Sequence, residues 1–83
     1  MNKPLDALNV PPYYDRPQRF MEIWRLSKAG HTAVCSAWTH SYGGELRVEI
    51  DGEMHKTEAG RDGQALLRVA LDWQDQFVAK GWT

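Results

Sequence analysis

Residues 45–52 read Glu45-Leu46-Arg47-Val48-Glu49-Ile50-Asp51-Gly52. Charged and apolar side chains alternate without a break up to Ile50, the period of a strand that is wet on one face and dry on the other. Asp-Gly then marks a tight turn, because both residue types accept the left-handed backbone that a short hairpin demands. An antiparallel sheet with one buried face follows.

Downstream, Asp51-Gly52 as a two-residue turn would set Arg47 directly against Lys56, two like charges. A four-residue loop, Asp51 to Met54, sets Glu49 against Lys56 and Arg47 against Glu58, and this register is expected on charge grounds. The fourth strand then turns His55, Thr57 and Ala59 to the side of Leu46, Val48 and Ile50. Upstream, Phe20 to Ser27 and His31 to Thr39 read as two more strands, rich in aromatic and β-branched residues. Lys28-Ala29-Gly30 is expected as a three-residue loop between them. His40-Ser41-Tyr42-Gly43-Gly44 reads as a longer, glycine-rich connection.

After the sheet, Asp62 is an N-cap for a helix running to about Lys80, and Gly81 ends it. Leu66, Ala70, Trp73 and Phe77, flanked by Leu67, Leu71 and Val78, form its apolar stripe. With Gly81 left-handed, Trp82 falls where a Schellman motif packs an apolar residue back onto Phe77. Residues 1–19 hold all four prolines, Pro4, Pro11, Pro12 and Pro17, and so neither helix nor central strand. Leu5, Leu8, Val10, Tyr13 and Tyr14 nonetheless make this stretch too apolar for a pure solvent tail. The expected class is α+β: a four-stranded antiparallel β-meander packed on one face by a single C-terminal helix, ββββα. An extended or partly disordered Pro-rich arm over 1–19 precedes one domain over 20–83.

With 83 residues there is room for one hydrophobic core. A formal net charge of −1 gives no electrostatic case for a polyanion partner. The lone cysteine, Cys35, excludes an intrachain disulfide and a cysteine-rich zinc site. No stretch has the apolar length of a signal peptide or a membrane span, so a soluble, cytoplasmic protein is expected, with no membrane partner.

The chemistry-bearing residues are few. His31 and Cys35 stand about 13 Å apart along one strand, too far to hold one ion between them. His40 and His55 are not placed to complete a set, and no metal or cofactor is expected. The run of small residues Ala33, Cys35 and Ala37 reads as a close-packed surface under the helix, with Cys35 an inert buried thiol. Paired carboxylates, nucleophile elbows and phosphate-binding loops are absent from the sequence, and no catalytic residue is expected. Pro11-Pro12-Tyr13-Tyr14 matches the short Pro-Pro-x-Tyr ligand pattern, but four residues specify little.

The first hairpin is the most informative feature. With a three-residue loop it places Phe20, Trp24, Leu26, Val34 and Trp38 on one face and Met21, Ile23, Ala33, Cys35 and Ala37 on the other. One helix covers one face, so the aromatic face needs the arm, a second copy or another partner as its cover. The sequence names no biochemical activity. The expectation is a small non-enzymatic protein-binding or self-associating module, an inhibitor or accessory subunit of a larger assembly, homodimeric through that face. Trp24, Trp38, His40, Tyr42 and Arg47 are its binding residues. The alternatives are a single-stranded nucleic-acid binder using the sheet, disfavoured by the interleaved Glu22, Glu45, Glu49 and Glu58, and a small-ligand binder or enzyme subunit using the 39–44 loop.

Overall fold

Two pairs of left-handed residues set the sheet's geometry. Ala29 and Gly30 have φ of 50° and 83°, and Asp51 and Gly52 have 53° and 84°. These are the values of two-residue hairpin turns, whose twist matches that of the flanking strands. The computed structural model describes residues 17–41 and 43–83. The strands are β1 (Arg19–Lys28), β2 (His31–His40), β3 (Gly43–Ile50) and β4 (Glu53–Gly60), and the helix is α1 (Gly63–Ala79). Each strand pairs with the next in the order β1-β2-β3-β4, all antiparallel, and α1 packs on one face. This is the expected ββββα architecture. The expected arm falls, up to residue 16, outside the described residues.

The first loop is shorter than the sequence suggested. Lys28 pairs with His31 across Ala29-Gly30, so the loop has two residues and not three. Ala29 accepts the left-handed conformation at a cost of about 1 kcal/mol. The one-residue change in register turns Trp24 and Leu26 over to the face of their partners Cys35 and Ala33. A bulge between Glu22 and Trp24 then reverses the phase, and Met21 pairs with Ala37 on that same face. The face holding Trp24 and Trp38 together therefore does not exist.

The other two connections are corrected in the same direction. His40 pairs with Gly43, which leaves Ser41 and Tyr42 as the connection where a five-residue loop was expected. Ile50 pairs with Glu53, so Asp51-Gly52 is the whole of the third turn. The clash foreseen for that turn is avoided by a bulge: beyond it Val48 pairs with Lys56, and Arg47 meets Thr57. Lys56 and Glu58, partners of Val48 and Leu46, consequently occupy the side expected for Thr57 and Ala59. The Lys56 ammonium lies 5.0 Å from the centre of the Trp73 ring of α1, its stem covering apolar surface. His55, at the bulge, meets Phe77 edge-on.

The core lies between this face and α1. Trp24, Leu26, Ala33, Cys35, Ala37, Leu46 and Val48 are buried beneath Leu66, Ala70 and Phe77. The small β2 residues leave room beneath α1, and the large Trp24 fills the space beside them. Its indole Nε1 donates to the Ala70 carbonyl at 2.7 Å. Cys35 is wholly buried, and that burial pushes its thiol up to about 11.

Both ends of α1 are capped as expected. The Asp62 carboxylate accepts from the amides of Gln64 and Ala65 at 3.0 and 3.3 Å. At the far end, with Gly81 at φ 99°, Gly81 N–H donates to Val78 and Trp82 N–H to Phe77, the two bonds of a Schellman motif. Lys28 Nζ also donates to the Lys80 carbonyl, placing a cation at the helix C-terminus. Trp82 packs against Phe77 with ring centres 5.3 Å apart. Trp82→Ala is expected to cost about 1–3 kcal/mol, the value of one partly buried aromatic side chain, read as a lower urea midpoint with an unchanged slope.

Candidate functional site

Only one face of the sheet carries a helix; among the described residues no other element covers the second face, here called the open face. Across it, cross-strand pairing builds three rows: Arg19, Trp38, Glu45 and Ala59; Glu22, Ser36, Arg47 and Thr57; and Arg25, Val34, Glu49 and Met54. Trp38 is the one aromatic residue in these rows. The Arg47 guanidinium lies over its ring at 4.0 Å from the centre. The indole Nε1 donates to Ser36 Oγ at 2.8 Å, and Ser36 is buried beneath it. Arg47 in turn donates from Nε and Nη2 to Glu45 Oε1 at 3.2 and 3.0 Å. Trp38, Ser36, Arg47 and Glu45 thus form one interlocked group whose rotamers are fixed by each other.

Most charge on this face is engaged in ion pairs, with Glu22 shared by two arginines. Glu22 takes Arg25 at 2.9 Å and Arg19 at 3.4 Å, and the hydrogen bond from Arg25 holds its carboxyl below the usual range. Arg47 is committed to Glu45, with both side chains largely covered. A further polar contact stands at the turn end of the two central strands, by the two tight turns. The His31 ring donates from Nδ1 to Asp51 Oδ2 at 2.6 Å, and Asp51 Oδ1 accepts from the Thr32 amide at 3.0 Å. The bond from His31, then that from Thr32, lowers the Asp51 carboxyl from its ordinary value of 3.8.

Asp51 therefore stabilises the fold above that ordinary value, and its contribution is lost as pH falls through the lowered one. Asp51→Asn keeps a residue that tolerates the left-handed turn and removes the charge. The variant's melting temperature is expected to fall less than the wild type's between pH 5 and pH 2, measured as parallel thermal scans.

The five binding residues expected from the sequence are not brought together. Trp38 and Arg47 are in contact on the open face. Trp24 is 5 % exposed and belongs to the core under α1, which corrects its assignment to an exposed aromatic surface. The His40 backbone closes β2 against Gly43. Tyr42 lies outside the described residues. Sequence reasoning missed Ser36 and Glu45, the two groups that hold the Trp38–Arg47 pair in place. Their signal was present in the period of two that sets Ser36 beside Trp38 and Glu45 beside Arg47.

Concavities lie at both ends of the sheet. One, of about 250 Å³, lies near the start of α1 and is lined by Phe20, Met21, Ile23, Leu66 and Leu67 among others. The other, of about 430 Å³, lies at the turn end and includes His31, Asp51, His55 and Trp82. Among the described residues, no three His, Cys, Asp or Glu side chains gather as a metal-binding set, and no helix is long and apolar enough to cross a membrane. No known family, curated protein or solved structure matches the chain.

Proposed function

We propose that this chain is a small, non-catalytic protein-binding module of the cytoplasm, which takes a protein partner or a second copy of itself on the open face of its sheet. The observation that carries this reading is Trp38, held by Arg47 and Ser36 on the face that no described element covers. A large aromatic surface fixed before binding loses little side-chain freedom on association, and Trp and Arg are the residues that most often anchor interfaces. Ion pairs around it supply a polar rim. The ion pairs weigh against the nucleic-acid alternative, since Arg19 and Arg25 share Glu22, Arg47 is held by Glu45, and Glu49 stands beside them, so the described residues of this face form no continuous positive track for phosphates.

The reading is tested with Trp38→Ala. Because Trp38 stands on the open face, the variant is expected to keep the fold at a cost of about 1–2 kcal/mol, well below that of a core tryptophan. It is expected to lose self-association in sedimentation equilibrium, or the capture of whichever protein the wild type retains at high salt. A folded variant that associates and captures as the wild type does would remove the open face from consideration. Association abolished by nuclease or by moderate salt would favour a nucleic-acid partner instead.

A further inference from the structure

A groove that borders Trp38 and Glu45 at the end of the sheet and runs onto the helix side is also incompletely covered by the described residues. The helix lies more over β3 and β4 than over β1, and the gap beside β1 is the 250 Å³ groove near its start. Its rim is apolar: Phe20 is 63 %, Met21 50 % and Leu67 47 % exposed, and Leu71 continues the patch along α1. Ile23, Ala37 and Leu66 line it further. This volume is below the usual range of small-molecule sites and suits one or two large side chains.

We infer that the occupant is the segment from Leu5 to Tyr14 of the same chain. Three observations support it. The segment carries five large apolar side chains, Leu5, Leu8, Val10, Tyr13 and Tyr14, while its prolines restrict the backbone and lower the cost of ordering it. The chain enters the sheet beside the groove: Gln18 N–H donates to Thr39 Oγ1 at 2.9 Å and Thr39 N–H to the Gln18 carbonyl at 2.8 Å, next to the groove residue Trp38. The five residues from Gln18 back to Tyr13 reach about 17 Å, so the tyrosines are within range and act at an effective concentration in the millimolar region. A second copy is the weaker occupant. The outer edge of β1, unpaired among the described residues, carries two bulges and the charges of Arg19, Glu22 and Arg25, devices that oppose strand pairing between molecules.

The test uses the full chain with Asn9→Cys and a nitroxide label. Cys35 is buried with its thiol pushed up to about 11, so the added thiol is the one that reacts. The methyl resonances of Leu67 and Leu71 are expected to lose most of their intensity, equally at low and high protein concentration. Adding Tyr13→Ser and Tyr14→Ser is expected to restore them. Full intensity in the labelled chain would overturn the inference, as would broadening that survives the serine substitutions. Broadening seen on an unlabelled chain mixed with a spin-labelled one would assign the groove to a second copy.

Discussion

Trp24→Ala is expected to be the most damaging single truncation in β1, costing about 3–5 kcal/mol. The ring is buried, packs on Phe77 with centres 5.3 Å apart, and spends its only polar atom on the Ala70 carbonyl. Removing it takes away the largest contact between β1 and α1. A chain of this size has a total stability of only about 4–12 kcal/mol, so the variant is expected to lose roughly a quarter of it or more. Trp24→Phe supplies the graded control: it keeps most of the packing, loses the indole donor, and is expected to cost about 1–2 kcal/mol. Urea titration at low temperature, followed by circular dichroism, gives both values.

Gly43→Ala is the second large effect. Gly43 has φ 152°, and a Cβ built there would stand 2.3 Å from the Gly60 carbonyl oxygen and 2.8 Å from Arg61 Cα. Both are backbone atoms where β4 leaves the sheet, and neither can rotate aside. The expected cost is about 2–4 kcal/mol, from the clash together with the strained φ. Gly44→Ala is the comparison. Its Cβ meets the Leu66 Cδ1 methyl at 3.2 Å, a side-chain atom able to shift, and the loss is expected to be smaller. Melting temperatures of the two variants, measured side by side, check the order.

These two residues show what the sequence carried and what it did not. The strand β3, the caps of α1 and the Trp82 latch were legible because each follows from a local pattern: strict alternation, an Asp before an apolar stripe, a Gly followed by Trp. The register of the first hairpin was not. A choice between two and three loop residues is settled by whether Ala29 accepts a positive φ, a cost repaid only when Trp24 and Leu26 reach the core. The like charges of Arg47 and Lys56 were read correctly as a conflict. The chain resolves it with a bulge in β4 and keeps the tight Asp51-Gly52 turn, a combination that no pairing of regular strands contains. Of the candidate site, Trp38 and Arg47 were found as residue types, but their contact depends on the β2–β3 register, which pairs Trp38 with Glu45 and Ser36 with Arg47. Trp24 was grouped with them because a one-residue slip exchanges the two faces of a strand.

The opposite placement of the two tryptophans of the first hairpin underlies the core, the open face and the proposed binding surface alike. A nuclear Overhauser spectrum of the full chain tests it directly. Cross-peaks are expected from the Trp24 ring to Ala70 and Phe77, and from the Trp38 ring to Ser36 and the Arg47 side chain, with none from the Trp38 ring to Ala70 or Phe77. Cross-peaks from the Trp24 ring to Ser36 or Arg47, or from both tryptophan rings to Ala70 and Phe77, would contradict it.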